Sequence, residues 1–441
     1  MGASPRAAAV SALIRQEQDG FSNLILDAEL RRQKLDGRDK AFASAIFYTV
    51  LEHRGTLDYI LEQFLPKGLA RLDPPVREIL RSALAQARYM QVPVSAAVNE
   101  AVKLTRSFKK SSASGLVNAV LRRTCAYDLS GASFADACEQ LMVLGSAGRD
   151  VAQVLHTYYP DEALGILTQP ADGGLTSLRA NPLKATPEKL CSLLEELGVQ
   201  DVHPGFVEGS VLARFEGSPA DKELFRQGYY HVEGQASQLA ALCVEAAPGQ
   251  TVLDLCAAPG GKTLLLAEQM QDTGRLVSCD VTENRVGLIR TAVQRMGFAC
   301  VETRCNDAAH PAPDLPMADC ILTDVPCSGL GILAKKPDIR YKALDKARYA
   351  QLLATQASIL DAAAGLLKPG GRLVYSTCTI HPAENQQQIQ AFLQRHPEFT
   401  LASPSPAMPQ GMRCTPYGML SIPTETGMDG FFICAMQKSP C

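Results

Sequence analysis

The sequence lacks any run of about 18 consecutive apolar residues, which is the length that a membrane-spanning helix needs. It also lacks the charged segment followed by an apolar segment that marks an N-terminal secretory signal. The first residues, MGASPRAAAVSALIRQEQDG, instead have the pattern of an amphipathic helix. We therefore expect a cytoplasmic protein with no membrane partner.

The sequence contains no CxxC pair among its 14 cysteines, and we expect no structural zinc or other metal site. Several cysteines, including Cys279, Cys320 and Cys434, lie within apolar runs. A thiol in such a run is usually a small buried side chain. In a reducing compartment, packing explains most of these cysteines.

Net charge is also small, at −3, but it is unevenly distributed. Residues 1–125 contain 19 basic and 12 acidic side chains, whereas the rest of the chain has a net charge of −10. A basic first third indicates a polyanionic partner. A set of solvated helices explains the same charge equally well.

The pattern of apolar residues divides the chain into three predicted regions: 1–128, 129–227 and 228–441. In the first, apolar residues recur every three or four positions, as in PPVREILRSALAQARY, which predicts a helical bundle punctuated by glycines 55, 68 and 115. The second mixes short strands and helices, and we expect a small α+β module. In the third, short apolar runs alternate with helical segments, which predicts an α/β fold with a parallel sheet and crossover helices. Ligands of such sheets bind at the carboxyl ends of the strands.

One such strand, TVLDL, is followed directly by CAAPGGKT. Gly260 and Gly261 would let a ligand approach the backbone, although a tight strand-to-helix turn would need them as well. Both GxxxxGK[ST] and GxGxxG are absent, which argues against a Walker loop and a nicotinamide cofactor.

Acidic residues end the next two predicted strands. Asp280 is placed to accept hydrogen bonds from ribose hydroxyls, and Asp307 could accept one from an adenine amino group. Either residue alone could be a surface acid or a helix cap. Together with a glycine loop that lacks a phosphate motif, they predict S-adenosylmethionine as the cofactor.

Two cysteines and an aspartate follow neighbouring strands: Asp324 and Cys327 in DVPCSG, and Cys378 in STCTIHPAEN. C5 of a pyrimidine is a poor nucleophile, but a thiolate that adds to C6 makes C5 able to accept a methyl group. The thiolate requires a lowered pKa or a nearby base. A proton donor near N3 would stabilise the developing charge. The residue types therefore fit methylation of a pyrimidine carbon.

Four blocks, DLCAAPGGKT, DVPCSG, STCTIHPAEN and GMDGFFICAMQK, resemble those of RNA cytosine-5 methyltransferases. In the first region, FYTVLEHRGTLDYIL and GLVNAVLRR are similar to the antitermination factor NusB. The combination resembles the Sun-type bacterial 16S ribosomal RNA cytosine-5 methyltransferases over nearly the whole chain. This resemblance implies a Rossmann-like methyltransferase domain, preceded by an all-helical NusB-like RNA-binding domain and a small α+β RNA-binding module.

The resemblance also implies roles for individual residues. Cys378 would attack C6 and Cys327 would help to break the adduct, whereas DNA cytosine methyltransferases attack with the cysteine of the Pro-Cys block. Asp324 and Lys262 would lie at the reacting centre and contact the cytosine. The implied cofactor contacts are Cys256, Ala257, Ala258, Pro259, Gly260, Gly261, Lys262, Asp280, Arg285, Asp307 and Asp324.

The implied substrate is a cytosine of 16S ribosomal RNA, free or in an assembling small subunit, and the implied enzyme is a monomer that does not act on DNA. One alternative is an RNA-binding ribosome-assembly factor with a vestigial methyltransferase domain. The other is cytosine-5 methylation of a different RNA. The vestigial alternative is disfavoured because the expected site residues are intact, namely Asp254, Lys262, Asp324, Cys327 and Cys378.

The sequence departs from the family pattern in three places. Glu233-Gly234 replace a usual Gln-Asp, Ala180 replaces a valine or isoleucine, and the chain has no tryptophan where the middle module often has an aromatic. These changes affect RNA contact rather than the chemistry. Candidate phosphate contacts are Lys335, Lys336, Arg340, Arg179, Asn181, Arg122 and Arg123.

Overall fold

The computed structural model describes residues 4–19, 22–404 and 407–440. The chain forms two compact units. The helical unit comprises the residues up to Thr168 together with Lys336–Ala343, and the sheet unit comprises Gln169–Lys335 and the residues from Leu344 onward. Within the described ranges, none of the helices combines the length and the apolar composition that crossing a membrane would require.

The helical unit contains a bundle with one buried apolar core. Its described helices are α1 (Pro5–Asp19), α2 (Ser22–Gln33), α3 (Gly37–Glu62), α4 (Pro74–Tyr89), α5 (Val94–Ser107), α6 (Ser114–Thr124), α7 (Ala137–Leu144), α8 (Arg149–Tyr158) and α9 (Ala163–Thr168). α4 begins at Pro74, where the missing N–H of proline costs no hydrogen bond. α3 begins after Asp36, whose side chain accepts a hydrogen bond from the backbone N–H of Asp39 at 2.8 Å. The apolar faces predicted from periodicity are the ones that form the core, as Phe47, Leu51 and Leu80 illustrate.

Two of the three glycines expected to punctuate this bundle lie inside helices, so that expectation is wrong for them. Gly55 is within α3 and Gly115 is within α6. A Cβ at Gly55 would collide with the backbone carbonyl of Met142 in α7, which explains the glycine by close helix packing. Only Gly68, with φ +78°, forms a turn between helices.

A short segment from the second half of the chain belongs to the helical unit. Pro337–Tyr341 forms a 3₁₀ turn. Arg340 is buried there and donates a hydrogen bond from Nη1 to the carbonyl of Glu52 at 3.0 Å, and its own carbonyl accepts one from the N–H of Gly148 at 2.6 Å. The guanidinium of Arg54 lies over the ring of Tyr341, 5.2 Å from its centroid.

The first part of the sheet unit is a small antiparallel sheet in the order β2-β3-β1-β4. Its elements are β1 (Thr176–Ala180), α10 (Pro187–Glu196), β2 (Gln200–Pro204), β3 (Ser210–Arg214), α11 (Glu223–Arg226) and β4 (Tyr230–Val232). Leu178, Val211 and Tyr230 share an apolar core with Leu190 and Leu194 of α10.

The second sheet has nine strands, most of which follow the order β11-β12-β13-β9-β8-β5-β6-β7, with β10 paired to β13. The strands are β5 (Thr251–Asp254), β6 (Arg275–Asp280), β7 (Val301–Cys305), β8 (Ala318–Asp324), β9 (Leu367–Thr377), β10 (Phe399–Leu401), β11 (Arg413–Thr415), β12 (Gly418–Ser421) and β13 (Phe431–Lys438). The helices are α12 (Gln235–Leu242), α13 (Gly261–Gln269), α14 (Glu283–Met296), α15 (Lys346–Leu366), α16 (Gln386–Arg395) and α17 (Pro423–Thr426). The strands β5 to β9 are parallel, whereas β10 to β13 are antiparallel to their neighbours.

The predicted fold class is confirmed: a Rossmann-like α/β sheet follows a helical region. The sheet is nevertheless mixed rather than wholly parallel, because β13 pairs antiparallel with β9, and β10 and β12 pair antiparallel with β13. The two units also differ from the three predicted ranges, since residues 129–168 belong with the helical unit and β4 extends the small sheet beyond residue 227.

Candidate active site

The candidate site lies where the strand order of the large sheet reverses. From β5 the chain proceeds to β6 and β7 on one side, and then crosses to β8 and β9 on the other. Ligands bind at such switch points because the two flanking loops diverge and leave a crevice. Asp254 and Asp324 end β5 and β8, and Cys378 directly follows β9.

The two glycines of the loop after β5 have different functions. Gly260 has φ +113°, and a Cβ there would lie 3.3 Å from Cα of Ile289 in α14, so the turn and the helix packing require it. Gly261 begins α13, and a Cβ there would lie 3.0 Å from the carboxyl group of Glu233. Local geometry therefore explains Gly260, and a neighbouring carboxyl group accounts for Gly261. The expectation that these glycines admit a ligand stays a prediction.

The loop encloses a small cavity of about 220 Å³. It is lined by Val232, Glu233, Gly234, Ser237, Asp254, Cys256, Ala257, Ala258, Pro259, Gly261, Lys262 and Asp324. The set contains the whole predicted loop except Gly260, together with Asp254 and Asp324. It does not contain the other three implied cofactor contacts, Asp280, Arg285 and Asp307. Residues 232–234 and Ser237 are additions that the motif did not indicate.

Asp254 is fully buried at this cavity. One carboxylate oxygen accepts a hydrogen bond from Thr263 Oγ1 at 2.7 Å, whereas the other, Oδ1, has no hydrogen-bond partner. Burial raises the pKa of Asp254 to about 7; the Thr263 hydrogen bond and Lys262 oppose this rise, and the nearby carboxylates add to it. A buried acceptor without a donor is costly in a stable fold and is typical of a ligand site.

Asp280 and Arg285 bond to the cavity loop through Ala258 but do not line the cavity. Asp280 accepts hydrogen bonds from Arg285 Nε at 2.7 Å and from the backbone N–H of Ala258 at 3.1 Å. Arg285 also donates to the carbonyl of Ala258 at 3.2 Å. These bonds connect the end of β6 to the predicted cofactor loop.

The loop after β7 contains two adjacent polar residues, Asn306 and Asp307, which differ in burial. Asp307 is half-exposed, and His310 Nδ1 lies 3.0 Å from its carboxylate; this hydrogen bond is the main cause that holds the pKa of Asp307 below its usual value. Asn306 is buried, and its Nδ2 has no hydrogen-bond partner. Asp307 stays a prediction. Asn306 was not predicted, because neighbouring polar residues in a loop have no periodicity that shows which one is buried.

An ion pair marks the end of β8. Lys262 Nζ lies 2.8 Å from Asp324 Oδ2, and Ser376 donates to Asp324 Oδ1 at 2.8 Å. Burial disfavours the charge on Lys262, but Asp324 and Glu233 outweigh it and raise the pKa of the lysine. The ammonium also lies 5.4 Å from the centroid of Phe431. Lys262 is thus a fixed positive charge at the cavity.

The two candidate cysteines lie together. Cys327 Sγ and Cys378 Sγ are 3.3 Å apart, although 51 residues separate them in the chain. The hydrogen bond between the thiols, followed by burial, raises the pKa of Cys327 well above its usual value. Cys327 therefore stays protonated at neutral pH.

Glu233 was noted in the sequence only as a departure from the family pattern. Its buried carboxylate accepts from Ser237 Oγ at 2.7 Å and lies 3.0 Å from His231 Nε2. Burial opposes its charge, but the contact with His231 and the charge of Lys262 lower the pKa of Glu233. An acid next to the GGK segment thus belongs to the cavity, and only the fold brings it there.

Four of the candidate phosphate contacts are bonded to other groups of the protein. Arg179 is buried and its Nε donates to Glu268 at 3.0 Å, while Asn181 is buried and bonds to the carbonyls of Gly228 and Met296. Arg340 is buried in the helical unit, as described above. Lys335 is ion-paired with Asp429 at 2.5 Å.

The remaining basic candidates lie on the surface of the helical unit. Lys336, Arg122 and Arg123 are exposed. Arg122 donates to Asn118 at 3.2 Å, and the guanidinium of Arg123 lies over the ring of Phe64. Contact of these three residues with RNA phosphates stays a prediction.

Comparisons with known proteins agree with this architecture. The family described as 16S rRNA methyltransferase RsmB/F matches residues 241–437, and the NusB family matches residues 3–125. The "Probable ribosomal RNA small subunit methyltransferase B" of Synechocystis is 33% identical over 96% of both chains, and the protein of the same name from Bacillus subtilis is 33% identical over 99% of both. The crystal structure of PH0851 has a TM-score of 0.81 and 27% identity, and the match covers 99% of this chain and 100% of that chain. The chain therefore belongs to the 16S rRNA methyltransferase family RsmB/F, with a NusB-family helical domain before its methyltransferase domain.

Proposed function

We propose that this protein transfers a methyl group from S-adenosylmethionine to C5 of a cytosine in 16S ribosomal RNA, through a covalent bond between Cys378 and C6. The observation that supports this most directly is the 3.3 Å separation of the Cys327 and Cys378 thiols beside the Lys262–Asp324 ion pair. Methylation of oxygen or nitrogen would leave both thiols without a function. The relatives' names supply the RNA class.

The residues around the cavity fit S-adenosylmethionine. Asp254 Oδ1 is a buried acceptor without a donor, and the space above Gly261 would be filled by any side chain there. The loop Cys256–Lys262, with Asp280 and Arg285, would hold the nucleoside part, and Asn306 joins Asp307 as a candidate for the adenine. When bound, the cofactor supplies an electrophilic methyl group.

Cys378 acts first in the proposed mechanism. Its thiolate adds to C6 of the cytosine, and the electron pair displaced from the C5–C6 double bond makes C5 nucleophilic. The ammonium of Lys262 stays charged and is paired with Asp324. In the proposed mechanism these two residues contact the polar edge of the ring. Charge that develops on the ring is stabilised by this fixed cation.

Cys327 acts last. After C5 has accepted the methyl group, the C5 proton passes to water. The C5–H electron pair re-forms the C5–C6 double bond, and the C6–S bond breaks with its electron pair returning to Cys378. Cys327 enters this step as a protonated thiol, because its pKa is raised by its hydrogen bond with Cys378 and by burial. That state suits a residue that assists release rather than one that attacks.

The two thiols are tested by separate alanine variants. Cys378→Ala should reduce tritiated methyl transfer into RNA at least about 10³-fold and form no adduct. Cys327→Ala should accumulate a protein–RNA adduct that survives denaturing electrophoresis. Cys414→Ala, which removes an exposed thiol on β11, is the control and should retain activity.

The opposite pattern, with an adduct in Cys378→Ala and none in Cys327→Ala, would reverse the assignment. RNA binding without methyl transfer by the unaltered protein would instead favour a vestigial domain. Comparison of protein-free 16S RNA, small-subunit particles and unrelated RNA as substrates tests the proposed RNA.

A further inference from the structure

Glu384 lies in the motif STCTIHPAEN but has no function in the mechanism above. It is fully buried in the turn Pro382–Glu384 after β9. Its carboxylate accepts hydrogen bonds from the backbone N–H of Ser328 at 2.8 Å and from the Ser328 hydroxyl at 2.5 Å. Ser328 is the residue after Cys327, so these two hydrogen bonds hold the loop that carries Cys327.

The same carboxylate also contacts the second cysteine loop. Thr379, the residue after Cys378, directs its hydroxyl at Glu384 Oε1 at 3.4 Å, and this hydroxyl lies 2.8 Å from that of Ser328. The backbone carbonyl of Glu384 accepts from the Tyr375 hydroxyl of β9 at 2.6 Å. The residues that follow both cysteines thus meet at one buried side chain.

Helix α15 completes the network. Gln356 is fully buried, and its Nε2 donates both to Glu384 Oε2 at 3.1 Å and to the carbonyl of Pro326 at 2.9 Å. Pro326 precedes Cys327, so this loop is fixed on both sides of the thiol. A buried carboxylate is costly unless several donors satisfy it. Separating the two loops would remove those donors, and the charge therefore resists the separation.

We propose that Glu384 is a positioning residue whose carboxylate holds the Cys327 and Cys378 loops together, and thereby sets the distance between the two thiols. The inference rests on the proposed function for its catalytic consequence. Displacement of a reacting group by about 1 Å can cost on the order of 100-fold in rate. Loss of the carboxylate should therefore lower the rate of the chemical step without weakening cofactor binding.

Glu384→Gln tests this proposal, because the amide keeps the size of the side chain but replaces one acceptor oxygen by a donor. We expect kcat to fall at least about tenfold while the KM for S-adenosylmethionine changes less than about twofold. The second readout needs no activity. Diamide, an oxidant that takes one hydrogen from each thiol, should couple Cys327 to Cys378 at least about fivefold more slowly than in the unaltered protein, as measured by mass spectrometry of the joined peptides.

Glu268→Gln is the matched control. It removes a partly buried carboxylate of the same unit, paired with Arg179, and should leave the coupling rate unchanged. The double variant Glu384→Gln/Gln356→Glu again pairs a carboxylate with an amide. It does not restore the two carboxylate oxygens that accept hydrogen bonds from Ser328, so Cys327 and Cys378 should still be coupled slowly. Recovery of the normal rate in this double variant would assign the effect to the Gln356 contact and overturn the proposal.

An unchanged coupling rate in a folded Glu384→Gln protein would also overturn it. If that variant fails to fold, Ser328→Ala removes only the hydroxyl contacts and should slow coupling about twofold or more; no change would count against the proposal. Because coupling is measured without RNA or cofactor, a failure of the cytosine mechanism would leave this readout intact.

Discussion

Two groups of buried charges, one in each unit, differ in how completely they are paired. In the helical unit, Arg81 donates to Asp58 Oδ1 at 2.7 Å and Oδ2 at 2.8 Å and to Glu17 at 2.7 Å, and it also pairs with Glu78. In the sheet unit, Asp254 accepts one hydrogen bond and keeps an oxygen without a partner. We call the first group closed because Arg81 pairs with all three carboxylates, although Glu17 and Asp58 also line a cavity of about 930 Å³. We call the second group open because an oxygen of Asp254 has no partner at its cavity.

The contrast extends beyond these residues. Among the described residues, ten of the eleven buried side-chain polar atoms without a partner lie in the sheet unit. Asp254, Ser278 and Asn306 belong to β5, to β6 and to the loop after β7, at neighbouring positions of the switch. We therefore expect the buried charges of the helical unit to affect stability and those at the sheet switch to affect binding and rate.

The largest expected effect on stability comes from opening the closed group. Arg81→Ala leaves three carboxylates without their shared partner and should lower the free energy of unfolding by about 3–5 kcal/mol, measured by urea denaturation. Lys103→Ala, which breaks an exposed pair with Glu100 in the same unit, is the control and should cost less than about 1 kcal/mol. Equal losses in the two variants would contradict the distinction between the groups.

The next effect comes from the open group and concerns rate. Lys262→Met keeps the aliphatic stem and removes the charge, and methyl transfer should fall about 100-fold, or about 2.7 kcal/mol in activation free energy. Lys368 pairs with Asp319 at the other end of β8 at the same 2.8 Å. Lys368→Met should leave the rate unchanged, and an equal loss in both variants would show that a β8 ion pair acts structurally.

The smallest effect concerns pH. Burial raises the pKa of Asp254 to about 7 in the folded protein, above its ordinary value of 3.8, so protonation favours the fold. Its contribution to stability is complete below about pH 4 and is lost as pH rises through 7. Asp254→Asn removes this loss, so its stability relative to the unaltered protein should rise by about 1–3 kcal/mol between pH 5 and 8. The measurement is the urea midpoint of each protein at pH 5 and pH 8, without cofactor. If the two proteins differ in stability by the same amount at both pH values, the raised pKa is contradicted.

Much of the fold follows from local pattern. PPVREILRSALAQARY forms α4, and the runs TVLDL, RLVSCD, ADCILTD and GRLVYST lie in β5, β6, β8 and β9. Periodicity and helix-entry prolines depend on neighbouring residues, which the sequence shows directly. The antiparallel return of β13 beside β9 was not predicted, because an apolar run does not state its direction or its partner strand.

The candidate site was predicted less evenly. The strand-end positions of Asp254, Asp324 and Cys378 followed from the rule for parallel sheets. Arg179 was expected to contact RNA, but Glu268, 89 residues away in the chain, is its partner. A basic residue in a polar loop looks the same in sequence whether it faces solvent or a distant acid.

The sequence by itself determined the helix and strand periods, the strand-end placement of the reactive side chains, and the residue types that a carbon-methylating thiol chemistry needs. These are properties of short segments. Only the tertiary structure decided that the two thiols are 3.3 Å apart, that Glu384 lies between their loops, and that Glu233 faces Gly261. Such relations join residues far apart in the chain, and they exist only where buried groups must find partners after the sheet has assembled.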